Sequence, residues 1–194
     1  MAGPTKQFDQ DQALGKALQL FWMKGYEATS MQELVDAMGV NRASLYQTYG
    51  NKYDLYVASM DRYIDTSVDL FKQTLENPGP ALDSLQALFQ NLILNSLQSG
   101  MHGCFINNTA VELGVHDEAL AKKIRDAWAQ FEGVFSRMIQ RAIDNGEFKA
   151  DIDVQVTAQL LNTHLQGLMV QSKTSISKTK LFDSIDLIFR LIHE

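Results

Sequence analysis

The chain has 194 residues, 45% of them hydrophobic, which is enough for one or two domains with a packed core. Seventeen basic against 23 acidic residues leave a net charge of −6; this argues against whole-surface affinity for nucleic acid, itself an anion, and leaves only a local basic face open. A single cysteine excludes an internal disulfide framework. No secretory leader is evident, and the most apolar window, "LFQNLILNSL", is short and broken by amides, so a cytoplasmic protein with no membrane association is expected.

Leu14, Ala17, Leu18 and Phe21 follow the i, i+3, i+4, i+7 spacing of one helical face, predicting a helix from near Asp9 to Gly25. In "SMQELVDAMG", Ser30 and Glu33 form a capping-box pattern, Met31, Leu34, Val35 and Met38 repeat the apolar spacing, and Gly39 stops the helix. Asn41 is the expected N-cap of a third helix, 42–48, with Leu45 and Tyr49 facing inward. Two short helices joined by a glycine turn are the helix-turn-helix arrangement. Arg42, Ala43, Ser44, Tyr46, Gln47 and Thr48 are then available to solvent or a partner, and small polar side chains there can approach base edges and phosphates. Residues 1–55 hold five basic and six acidic side chains, so any affinity for DNA depends on where the charges sit.

Asn51 caps a long helix, 52–75, and "NPGP" breaks the chain at 77–80. Further helices are expected over 81–98, 105–113, from Asp117 to the stop at Asn145-Gly146, from the Asp153 cap to Gln171, and over 178–193. The reading is all-α, about nine helices in two parts, with no strand. Ile185, Leu187, Ile188, Phe189, Leu191 and Ile192 cannot all face one core stripe. One face is expected to meet the interior and another a second copy, with two helices from each subunit forming a four-helix interface.

The stretch "FDQDQALGKALQLFWMKGYEATSMQELVDAMGVNRASLYQTYGNKYDLYVASMDRY" resembles the DNA-binding domain of TetR-type (TetR/AcrR) transcriptional regulators. The matching features are "ALQLF", "G-Y-x-A-T-S" into the second helix, "GV-x-x-x-x-LY" across the turn, and "x-N-K-x-x-L" into the fourth helix. "GCFINNTAVELGVHDEALAKKI" is similar to a piece of several members. The resemblance implies a helix-turn-helix domain over 1–54 and a ligand-binding and dimerisation domain over 55–194. It implies a homodimer that binds a palindromic double-stranded operator, usually as a repressor, and is released by a small-molecule inducer. By position, Arg42, Ala43, Ser44 and Gln47 would face bases, and Thr29, Tyr46, Thr48 and Lys52 would hold phosphates. Thr48 stands where many members have histidine and Tyr49 where they have phenylalanine; the arm before the first helix offers only Lys6.

Cys104 precedes a helix, where a thiol can have a lowered pKa, so an oxidant- or electrophile-sensing regulator is one alternative; a small buried hydrophobe is the plainer reading. Phe89, Phe105, Trp128, Phe131 and Phe135 are candidates to line an effector pocket, with Asn107, Asn108, Glu112, His164 and Gln166 as polar contacts; such a stripe is more often plain core. The spacing of His102, Cys104, His116 and His164 matches no metal motif, and neither a metal nor an organic cofactor is expected, only an unidentified small-molecule effector. No phosphate-binding glycine loop, HExxH, CxxC or ExxH pair supports an enzyme. The alternative of another class is a helical protein–protein adaptor without DNA binding.

Overall fold

The computed structural model describes residues 8–100 and 102–193. Among them the chain forms α1 (Gln10–Lys24), α2 (Met31–Met38), α3 (Arg42–Tyr49), α4 (Lys52–Glu76), α5 (Ala81–Gln98), α6 (Phe105–Glu112), α7 (Glu118–Asp144), α8 (Val154–Gln171) and α9 (Lys178–His193), and no strand. The expected ends of α3, α4 and α6 move by one residue, within the ordinary fraying of helix termini. The chain divides into two compact units, one ending at Asp65 and one beginning at Thr66, with α4 running through the division. No helix among the described residues is long and apolar enough to cross a membrane.

The caps are local and do what their residue types dictate. The Ser30 hydroxyl accepts from the Glu33 amide while the Glu33 carboxylate accepts from the Ser30 amide, closing the box at the start of α2. Asn41, Asp117 and Asp153 cap α3, α7 and α8 with their side-chain oxygens. In the first unit, Phe21 of α1 meets Tyr56 of α4 edge-on at 4.9 Å, and Tyr56 meets Tyr26 at 5.1 Å. Leu34 of α2, Leu45 of α3 and Leu55 of α4 are fully buried around them. Each such side chain contributes about 1.5–3 kcal/mol on leaving water, so the short α2 and α3 are held by tertiary packing, not by propensity.

In the second unit, α5, α7, α8 and α9 pack around an aromatic spine. Phe71 stacks on Phe131 at 4.6 Å, Phe89 tilts on Phe135 at 5.8 Å, and Phe189 meets Phe89 edge-on at 5.2 Å. The α4–α5 turn is clamped from the end of α7. Arg141 donates to the carbonyls of Leu75 (2.6 Å), Asn77 (2.9 Å) and Gly79 (3.2 Å). Pro80 gives α5 no side-chain cap, and the Glu147 carboxylate accepts the Leu82 amide instead, at 2.9 Å. Each charge has the sign that its helix end attracts: a cation on the carbonyl end of α4, an anion on the amide end of α5.

Candidate nucleic-acid interface

Gly39 leaves α2 in the left-handed conformation (φ 70°, ψ 31°), open to glycine at little cost, and turns the chain into α3. Asn41 Oδ1 accepts the Ser44 amide at 2.8 Å and starts that helix. Arg42, Ala43, Tyr46 and Gln47 lie exposed on its outer face and Thr48 is half-buried. The Arg42 guanidinium sits 5.8 Å from the Tyr46 ring centroid, which holds both on the same surface.

Two expectations about exposure are corrected. Ser44 is only 6% exposed, because it shares the inward side of α3 with Leu45. Thr29 is fully buried: its hydroxyl donates to the Gly25 carbonyl at 2.6 Å and its amide to the Tyr26 carbonyl at 3.2 Å, so both donors serve the α1–α2 turn. Tyr49 uses the hydroxyl that phenylalanine would lack, donating to the Gln10 carbonyl at 2.7 Å and tying α3 to α1.

Gly50 ends α3 at φ 79°. Asn51 Oδ1 then accepts the amides of Tyr53 (2.8 Å) and Asp54 (3.1 Å), and Asp54 accepts the Asn51 amide at 3.0 Å. This reciprocal cap places Lys52 at the first residue of α4. Its ammonium lies 4.4 Å from the Tyr26 ring centroid and 3.5 Å from the Glu27 carbonyl. Tyr26 as the support beneath Lys52 escaped the sequence reading, since the two are 26 positions apart; the "GY" that opens the turn was the available signal.

The electrostatics select among the cations. Lys24 is paired with Glu33, and Arg62 with Asp11. The Lys24 bond, then those from the Ser30 amide and hydroxyl, lowers the Glu33 carboxyl to about 2. Among the described residues Arg42 and Lys52 make no ion pair, so their charge stays available at the surface of α3 and the start of α4. Lys6 lies outside the described residues.

The expected effector residues fall into separate groups. Phe89, Phe131 and Phe135 are buried members of the aromatic spine, and the His164 ring stacks beside Phe89 at 6.4 Å. Burial lowers the His164 pKa and outweighs a hydrogen bond with the Ser184 backbone that raises it. Cys104 and Phe105 are buried at the start of α6, where Asn108 donates to the His102 carbonyl and accepts from Lys173. Trp128 is half-buried, its indole N–H without a partner. Away from these residues, one groove of about 300 Å³ lies between α4 and α5 and another of about 310 Å³ is lined by Lys149, Asp153 and Leu191. No group of three metal-ligating side chains occurs among the described residues. On α9, Leu181, Ile185 and Phe189 face inward, while Leu187 and Leu191 lie exposed, as do Val156, Leu160 and Val170 on α8.

Residues 13–58 match the model of the bacterial regulatory proteins of the tetR family, and residues 81–184 that of the tetracyclin repressor-like C-terminal domain. The HTH-type transcriptional regulator YezE of Bacillus subtilis is 32% identical over 188 residues, covering 95% of this chain and 96% of its own. The HTH-type transcriptional repressor ComR of Escherichia coli is 32% identical over 191 residues, covering 97% and 91%. A cysteine mutant of the TetR-family regulator CifR, solved with 26-bp operator DNA, superposes with a TM-score of 0.86 at 25% identity over 97% of this chain and 98% of its own.

Proposed function

Because the chain belongs to the tetR family of bacterial regulatory proteins, we propose that it is an operator-binding transcriptional repressor, active as a cytoplasmic homodimer and released by a small molecule. The observation that carries this reading is the exposed polar face of α3 beside the unpaired Lys52 at the start of α4. Arg42, Ala43 and Gln47 reach base edges, where a guanidinium suits guanine, and Tyr46 beside them reaches a phosphate. Lys52 and Thr48 hold the backbone, Lys52 at a helix N-terminus that itself favours an anion. Thr29 and Ser44 shape this surface from beneath: Thr29 fixes the turn into α2, and Ser44 seats α3.

A single α3 reads too little sequence for specificity, so the second copy matters. Apolar residues exposed on α8 and α9 support a four-helix dimer interface. Two recognition helices then enter successive major grooves about 34–36 Å apart. The groove beside α4 is a place from which a ligand can act on α4, with about 1–3 kcal/mol of coupling typical for one effector site.

Fluorescence anisotropy on a labelled fragment upstream of the chain's own coding region, over a salt series, tests the reading. Arg42→Ala should lose about 1–3 kcal/mol and relax base preference at one position per half-site. Lys52→Ala should weaken all sequences alike and flatten the salt dependence. Equal, selective binding by Arg42→Ala and the parent overturns the proposed role of α3.

A further inference from the structure

The groove between α4 and α5 is built from helical stripes with a consistent chemistry. Leu70 and Thr74 stand one turn apart on α4; Leu88 and Leu92, and beside them Asn91 and Asn95, stand one turn apart on α5. Leu88 is buried and gives the groove an apolar floor, while Leu70 is 41% exposed on its wall. Asn91 and Asn95 are exposed, and their carboxamides bond to no other described residue. Every lining residue is uncharged.

That set discriminates between ligands. A charged group entering the groove gives up water without meeting a counter-charge, which is costly. A neutral molecule can lay carbon on the leucines and exchange hydrogen bonds with the carboxamides, each of which offers both donors and an acceptor. A volume of about 300 Å³ lies at the lower end of the range for small-molecule sites. In the aromatic spine, by contrast, ring centroids 4.6–5.8 Å apart are at packing distance.

We propose that the α4–α5 groove binds a neutral amphipathic small molecule, a short apolar body carrying hydroxyl or carbonyl groups, and that this site regulates operator binding. The proposal rests on the repressor reading above for its regulatory half. The closed end of the groove is the α4–α5 turn, which Arg141 and Glu147 hold on both sides. A molecule wedged between the helices therefore cannot be accommodated by opening the turn and must displace α4, the helix that begins at Lys52.

The test uses the full chain with leucine methyl groups labelled for NMR, hexyl β-D-glucoside as the neutral probe and hexyl phosphate as its charged counterpart. The glucoside should shift the methyls of Leu70, Leu88 and Leu92 saturably, and the phosphate should bind about tenfold more weakly or less. Ala87→Trp, which fills the groove from an exposed helical position, should abolish the shifts and, by standing where the molecule wedges, should itself lower operator affinity relative to the probe-free parent. Saturating glucoside should lower operator affinity at least about fivefold. Absent shifts, equal binding of the two probes, or shifts that survive Ala87→Trp would overturn the site. Binding without an effect on operator affinity would overturn its regulatory role. Operator affinity of the probe-free protein is read on the same sample. Its loss there would count against the repressor reading, whereas its retention without probe binding would count against the groove alone.

Discussion

Replacing Arg141 with methionine isolates the clamp on the α4–α5 turn. Methionine keeps an unbranched stem for packing and removes the guanidinium. Three N–H···O bonds disappear, at 2.6, 2.9 and 3.2 Å, from the carbonyls of Leu75, Asn77 and Gly79. Hydrogen bonds to charged groups contribute about 1.5–3 kcal/mol each. The total is smaller than their sum, because Asn77 is exposed and water can replace its bond, and because the Arg141 Nε is buried without a partner. A loss of about 3 kcal/mol is expected, which for a chain of this size lowers Tm by about 6–12 °C. Urea titration should show a lower midpoint at unchanged slope. Hydrogen exchange should speed up first in the α4–α5 turn. Arg141→Lys should recover less than half the loss, since an ammonium cannot span three carbonyls in a fixed fork. A methionine variant within about 1 kcal/mol of the parent would show that solvent satisfies these carbonyls equally well, and the clamp would lose its energetic meaning.

Burial alone would raise the Glu147 carboxyl, but the Leu82 and Ala81 amides, the Asn145 side chain and the Arg141 charge outweigh it and hold it below its ordinary 4.5. Its stabilising effect is therefore full above pH 4.5 and is lost as pH falls through the lowered folded value. Glu147→Gln should cost about 1 kcal/mol at pH 7, as loss of a helix cap does, with the gap to the parent closing in acid denaturant titrations. Gly50→Ala should cost about 1–3 kcal/mol by thermal denaturation and weaken operator binding further. The backbone there is at φ 79°, and the new Cβ would stand 2.4 Å from the Asp54 carboxylate that caps α4 beneath Lys52. Leu191→Glu, at a site 63% exposed in one subunit, should leave the fold intact but raise the dimer dissociation constant at least about tenfold in sedimentation equilibrium, at the cost of about 1.4 kcal/mol or more for burying a charge.

The helices were legible because their stop and start signals are local. Ser30 with Glu33, Asn41, Asp117 and Asp153 each act on amides two or three residues away, so the sequence shows both partners at once. The start of α5 at Ala81 was legible from the break at 77–80, but its cap was not, since that comes from Glu147, 65 positions along the chain from Leu82. Ser44 was misplaced for a related reason. Periodicity marks the buried side of a helix by its apolar residues, and an eight-residue helix such as α3 offers only Leu45 as a fully buried one. A small polar residue next to it leaves no mark in the pattern. The effector residues show a different limit. Aromatic residues at helical spacing describe a packed spine and a lined cavity equally well, and only the ring separations tell them apart.

Charge was the least legible property. Five basic against six acidic residues in the first 55 suggest a surface indifferent to DNA. Folding shifts that balance only slightly, by pairing charges within the chain. Lys24 takes up Glu33 and Arg62 takes up Asp11, so two acidic residues of the first unit are neutralised on α1 and α2, while Arg42 and Lys52 are left without an ion pair at α3 and the start of α4. Two cations, Arg42 and Lys52, thus remain outside the ion pairs of the described residues in a chain that is acidic overall. With so few cations in each subunit, phosphate attraction alone would give the proposed operator complex little affinity, since affinity from that source scales with the number of phosphates neutralised. On that proposal the remaining contribution would fall to the neutral hydrogen-bonding face of α3 and to its repetition in a second subunit. On the proposed reading, the polar, lightly charged face of α3 and the exposed apolar residues of α8 and α9 are parts of one arrangement: the first would read sequence weakly, and the second would double it.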